Sequence, residues 1–246
     1  MAPSDSDLGE KALSKVAEVG VASQLNEAED INVEIRTDPG KLVQGKLDSV
    51  SISGKGLVMK QDLRMETLEV NIDKVEINPL RAVFGKIELV HPTDAEAQII
   101  LSEADINRAL SSDYIQDKLH NLQMEVDGQA VTVDLQESTV SLPGENKFVI
   151  TADFFIKGQD EAKRLSATAI PQIQENGHRI SLEILSTEGQ GLTSGLVVVL
   201  LDQLRNLLDL RNFDMPGMSL QMHQLEARSG KVIIHAKTQL EQIPSV

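Results

Sequence analysis

Residues 63 to 77, LRMETLEVNIDKVEI, alternate apolar and polar side chains but change phase twice. Leu63 and Met65 share one phase, Leu68, Val70 and Ile72 take the other, and Val75 and Ile77 return to the first. Side chains on a strand alternate between faces, so each slip of one position would send a core residue into water. A chain that keeps one apolar face through such slips has to bend at them. A bulge, one extra residue on one strand of an antiparallel pair, bends the strand and raises its twist. Glycine kinks do the same, and Gly45, Gly54 and Gly56 punctuate the strand pattern just before. The expectation is a strongly curved antiparallel sheet with bulges inside 63 to 77. A second local reading stays open, in which Thr67 and the Asp73-Lys74 pair are loop residues between separate short strands.

A curved sheet needs something to curve around. Residues 191 to 210, GLTSGLVVVLLDQLRNLLDL, supply it. Leu192, Leu196, Leu200, Leu204 and Leu207 form a helical stripe, while Val197, Val198 and Leu201 fill most of the remaining first half. A helix apolar on most sides has to be covered on most sides. Two further helices are expected, one over 7 to 28 and one opening at LSEADINRAL, where Ser102 and Asp105 have the spacing of a capping box. GKIELVHP, 85 to 92, and DAEAQIIL, 94 to 101, read as strands, as does nearly everything from 121 to 187. There Asp127-Gly128, Pro143-Gly144 and Asn176-Gly177 read as the turns of meander hairpins. Two closing strands follow 217. The chain therefore reads as α+β, a curved sheet wrapped around long helices. Residues 1 to 30 carry a helix packed on a single domain of residues 31 to 246.

Composition excludes several classes of function. The formal net charge is −15, so no nucleic-acid partner is expected, because that affinity rests on clustered Lys and Arg. There is no Cys, hence no disulfide, thiolate metal site or cysteine nucleophile. His91, His120, His178, His223 and His235 lack ligand spacing; His223 and His235 could face each other across the last hairpin as ordinary strand residues. No nucleophile elbow or phosphate loop is present, and SGKG at 53 to 56 reads as a turn or bend. The expectation is no enzyme, no cofactor and no metal. The longest wholly apolar run, Leu196 to Leu201, is far short of the roughly 18 residues of a membrane span. The first residues show no apolar signal segment, which points to a cytoplasmic protein, peripheral at a membrane, or to an exported one whose leader has been removed. Aromatic residues are only 2% of the chain, so the interior is aliphatic. DLRNFDMPGMSLQ, 209 to 221, reads either as an apolar plug over a helix end or as an exposed lip.

Three stretches carry a resemblance. Gln44-Gly45 with Asp48-Ser49, Ser102-Glu103-Ala104-Asp105-Ile106-Asn107, and Phe213-Asp214 with Gly217 are similar to segments of the LmeA-like phospholipid-binding family, over roughly 31 to 243. The resemblance implies a fold related to tubular lipid-binding proteins, a phospholipid or other acyl-lipid partner, transient membrane contact, and lipid transfer between membranes. Many members carry an export signal or anchor, which this chain does not show. The family brings no agreed binding residues. On the apolar helix and the strand KFVITADFFIKG, the expected lipid-lining residues are Val197, Val198, Leu201, Phe148, Ile150 and Phe154. The competing expectation is a scaffold with a solid core that binds a protein through an edge strand. An enzyme acting on lipids or glycans would need a polar cluster in a cleft, which the sequence does not indicate.

Overall fold

The structure is a computed structural model; it describes residues 5–59, 62–83, 88–126, 128–159, 161–189, 192–207 and 218–240. The backbone is mostly antiparallel strand, strongly curved as a half-barrel, with a minority of helices. It forms two sheets rather than one. The first is seven-stranded. Its path runs from β1 (Leu25–Glu27) through β3 (Lys46–Met59), β4 (Arg64–Glu76), β5 (Thr93–Ser102) and β12 (Lys231–Leu240) to β11 (Met218–Arg228). β2 (Asp30–Arg36) shares the outer side of β3 with β1. The second sheet is five-stranded, in the order β10 (Arg179–Gly189), β9 (Lys163–Gln174), β8 (Lys147–Ile156), β7 (Gln129–Gly144), β6 (Leu122–Val126). It is a meander, as expected; Asn176-Gly177 lies in its β9–β10 turn, while Asp127 of the expected Asp127-Gly128 turn lies outside the described residues.

The phase slips of β4 arise differently from the bulge expected for them. β4 is one uninterrupted strand, and its register against β3 never shifts, from Lys46 opposite Glu76 to Val58 opposite Arg64. Both strands slip together. Leu47 faces Val75 and Val50 faces Ile72, and all four are buried. Between them the ladder skips the Asp48–Lys74 position, where Lys74 has a φ of 56°. The other slip lies at the skipped Gly56–Glu66 position, where Gly56 also has a φ of 56°. One left-handed residue at each slip turns the local twist without adding a residue, so the core face is kept on both strands. Extra-residue bulges do occur, on other pairs: at Leu185 in β10, at His223 in β11 and at Gln136 in β7.

α1 (Asp5–Ala22) ends six residues before the expected 28 and places Leu13 and Ala17 on a core with Val33, Ile35, Val50 and Ile72. It also shields the outer edge of β2. The Ile35 amide donates to Ser14 Oγ at 3.1 Å, and the Thr37 amide donates to Glu10 Oε1 at 2.7 Å. An open strand edge is a template for unwanted pairing, and the helix side chains close this one. Two short helices, α2 (Pro39–Leu42) and α3 (Pro79–Val83), carry no strong periodic signal. Of the strand expected at 85 to 92, residues 85–87 lie outside the described residues, and Leu89 makes an isolated bridge to Ile77.

The single helix expected after LSEADINRAL is two, α4 (Glu103–Leu110) and α5 (Asp113–Leu119), with Ser112 capping the second. The capping box is present: Ser102 Oγ accepts from the Asp105 amide at 3.0 Å, and the Ser102 amide donates to Asp105 Oδ2 at 3.0 Å. The β7–β8 turn is centred on Glu145 and Asn146, at φ of 53° and 57°, two residues beyond the expected Pro143-Gly144. Two successive positive φ values suit the tight hairpin, whose twist matches the strands. The last helix, α6 (Ser194–Leu207), begins after Leu192 and Thr193, and residues 208–210 of the helix expected over 191 to 210 lie outside the described residues.

Candidate functional site

β8 presents Phe148, Ile150, Ala152, Phe154 and Ile156 on one face. Its neighbours bring Ala169, Ala167 and Leu165 from β9 and Val140, Ser138 and Leu135 from β7. The expected lining residues divide between two apolar clusters on this face. Phe154 is 0% exposed in the first, with Leu135, Leu165, and Leu196 and Leu200 of α6, and Val197 packs half-buried against it. Phe148 and Ile150 are half-buried against the second, which comprises Val140, Leu142, Ala227 and Val232. Val198 points outward and is 57% exposed. The side chain of Leu201 lies outside the described residues, as do residues 209–217 of the plug or lip expected at 209 to 221, whose last four residues begin β11. Leu110 of α4 packs against both clusters and makes the strip continuous. Ala167 and Ala169, nearly inaccessible opposite Ile150 and Phe148, were not expected on it; small side chains leave no hydrophobic signature to read.

The second cluster joins residues from both sheets, so a joint has to hold them. α4 is that joint. Glu103 Oε2 accepts from the Leu142 amide at 2.6 Å. Asn107 Oδ1 accepts from the Val140 amide, and Asn107 Nδ2 donates to the Val140 carbonyl, both at 2.8 Å. The β11–β12 turn docks on the same place: the Gly230 amide donates to the Leu142 carbonyl at 2.9 Å and the Asn146 amide to the Ala227 carbonyl at 3.0 Å. Asp105 is 4% exposed and takes Arg64 Nη1 at 2.6 Å. Burial pushes its pKa up, but hydrogen bonds from Ser102 and Arg64 outweigh that and hold it below the usual carboxylate value. Each polar side chain of the segment 102 to 107 is thus occupied in holding structure.

The family model of LmeA-like phospholipid-binding proteins matches residues 5–237. The chain belongs to the LmeA-like phospholipid-binding family. No curated protein matches it. In this member, Gly45 of the first motif has a φ of 75°, and a Cβ there would lie 2.1 Å from the Ile77 carbonyl oxygen. Among the described residues no helix is long and apolar enough to cross a membrane.

Elsewhere in this family member, a hollow of about 440 Å³ lies along β4 and the start of β5. Asn71, Asp73, Glu76, His91, Asp94 and Glu96 line it. Its walls are polar and acidic, which is unsuited to hydrocarbon, and it is set apart from the β8 strip. His223 and His235 do face each other, with ring centroids 6.0 Å apart, on neighbouring strands of the first sheet.

Proposed function

We propose that this protein carries phospholipid with its acyl chains laid along the β8–α6 strip, and passes it between membranes through transient contact. The observation that carries the reading is the unequal burial of one continuous apolar face. Phe154, Leu196 and Leu200 are packed solid, while Phe148, Ile150, Ala152 and Val197 on the same strip are only half-covered. Family membership supplies the ligand class.

Burying an acyl chain gains about 0.8 kcal/mol per CH₂ relative to water. Relative to a bilayer the gain is close to nothing, since both environments are apolar. A strip of this kind exchanges lipid with a membrane without trapping it. No reaction is part of the proposal.

The test is lipid extraction and mass spectrometry of the purified protein, together with uptake of a fluorescent phosphatidylcholine from vesicles and its delivery to acceptor vesicles. Co-purifying phospholipid and protein-dependent transfer are expected. A protein that is always empty and takes up no labelled lipid would rule the reading out.

A further inference from the structure

Val43 and Leu80 are the two most exposed large apolar side chains among the described residues, at 81% and 76%, and Val90 is 51% exposed. All three stand at one end of the first sheet, where β3 begins and β4 ends. Val43 follows α2, Leu80 is in α3, and Val90 comes shortly before β5. Backbone hydrogen bonds tie the three segments together. The Ile77 amide donates to the Gly45 carbonyl at 2.7 Å, the Asn78 amide to the Glu88 carbonyl at 2.8 Å and the Val90 amide to the Glu76 carbonyl at 2.9 Å. Asn78 Oδ1 accepts from the Leu80 amide at 3.1 Å and holds the first turn of α3. Apolar residues exposed singly are ordinary, whereas a group of them marks a contact. At such exposure Val43 and Leu80 project from the surface rather than lining a groove, so they suit a partner soft enough to admit them.

We propose that this end of the first sheet is a membrane-docking tip, with Val43, Leu80 and Val90 entering the surface of a phospholipid bilayer whose headgroups carry ammonium groups. This rests on the lipid-carrying reading above and names the surface that makes its transient contact. Charge selects the kind of bilayer. The hollow along β4 and β5 opens beside the tip, since Glu76 and His91, on either side of the Val90 hydrogen bond, both line it. Asp73, Glu76, Asp94 and Glu96 set four carboxylates in its wall against Lys74. The cations of the two short helices are already taken, Lys41 by Asp48 at 2.6 Å and Arg81 by Glu88 at 3.3 Å, and Lys46 stands opposite Glu76. Anionic lipid is drawn to clustered Lys and Arg, and the described residues offer no such cluster here. The acidic wall instead fits the ammonium of a phosphatidylcholine or phosphatidylethanolamine headgroup. β12 runs from Lys231, beside the joint with the second sheet, to Leu240 at this end, a span of about 30 Å at roughly 3.3 Å per residue. Docking and lipid holding therefore use separate residues and fail separately.

The experiment measures flotation with vesicles of dioleoyl phosphatidylcholine, alone and mixed with dioleoyl phosphatidylserine. The proteins are wild type, the double variant Val43→Ser/Leu80→Ser, and Leu185→Ser, a change at a 48% exposed apolar residue of the second sheet. Wild type and Leu185→Ser are expected to bind phosphatidylcholine vesicles, and to bind less when phosphatidylserine is added. The double variant is expected to lose about tenfold or more in vesicle affinity, the worth of two aliphatic side chains withdrawn from hydrocarbon. Its melting temperature and its co-purifying lipid should equal those of wild type. A double variant that binds vesicles as wild type does, or an equal loss in Leu185→Ser, would overturn the tip. Wild-type binding that strengthens with phosphatidylserine would overturn it too, because cations would then be making the contact. Wild type that carries lipid but binds no vesicle would overturn the docking and leave the lipid-carrying reading intact. An empty wild type whose vesicle binding depends on Val43 and Leu80 would do the reverse.

Discussion

Asn107 in α4 pairs with the backbone of Val140 in β7 as a neighbouring strand would, accepting from its amide and donating to its carbonyl, each at 2.8 Å. The same amide group donates to the Glu103 carbonyl at 2.8 Å. One side chain thus completes the edge of a strand and ties the helix that follows the first sheet to the second. Asn107→Ala should cost about 2–4 kcal/mol, the loss of these bonds plus two backbone groups left without partners. Asn107→Asp should also destabilise, because its acceptor oxygen would face the Val140 and Glu103 carbonyls. Urea unfolding at neutral pH measures both.

Arg64→Leu leaves the Asp105 carboxylate buried without its cation. Breaking a buried pair from one side costs about 3–5 kcal/mol. The pH dependence should change as well. Asp105 has a lowered pKa in the folded protein, so its contribution is present above the unfolded value and is lost as pH falls through the folded one. Without Arg64 the folded pKa rises, and the acid loss of stability should begin at higher pH. Denaturation midpoints across pH 3 to 7 for both proteins show whether it does.

Gly45→Ala puts a methyl group against the Ile77 carbonyl oxygen at a φ of 75°. The left-handed backbone alone costs about 1–2 kcal/mol, and the clash adds to it. Gly128 has a φ of 79°, and a Cβ there would meet nothing within 4 Å, so Gly128→Ala should cost only the backbone share. A thermal melt of the two variants separates the contributions.

Lys74 holds a left-handed conformation at one slip of the β3–β4 pair. Lys74→Gly should stabilise by up to about 1 kcal/mol, the left-handed penalty of about 1–2 kcal/mol relieved less the entropic cost of glycine in a strand, and Lys74→Val should destabilise, since a β-branched residue tolerates positive φ worst. Equal melting temperatures for the two would mean that the slip does not depend on this residue.

Phe154→Ala should cost about 3–5 kcal/mol, as for a large residue removed from a solid core. Phe148→Ala, at a half-covered position, should cost much less stability but should weaken uptake of labelled phosphatidylcholine. Guanidinium unfolding and lipid uptake, run side by side, distinguish core from lining.

The family motifs, the α+β class, the meander of β6 to β10, the Ser102 capping box and the apolar character of α6 are all legible in the sequence. Each depends on residues close together along the chain: a period of two, a turn dipeptide, a cap three residues from its partner. The same local rules misplace what depends on a neighbour. The slips of β4 look like bulges because a single strand does not reveal that β3 slips with it, Leu47 to Val50 opposite Val75 to Ile72. Only the tertiary structure splits the strands into two sheets, pairs β12 with β5 from Lys231 opposite Ser102 to Leu240 opposite Thr93, and sets Asn107 against Val140. Those choices rest on contacts between residues tens of positions apart, where the free energy comes from which apolar faces can be covered together, and alternation along one strand carries no record of its partner.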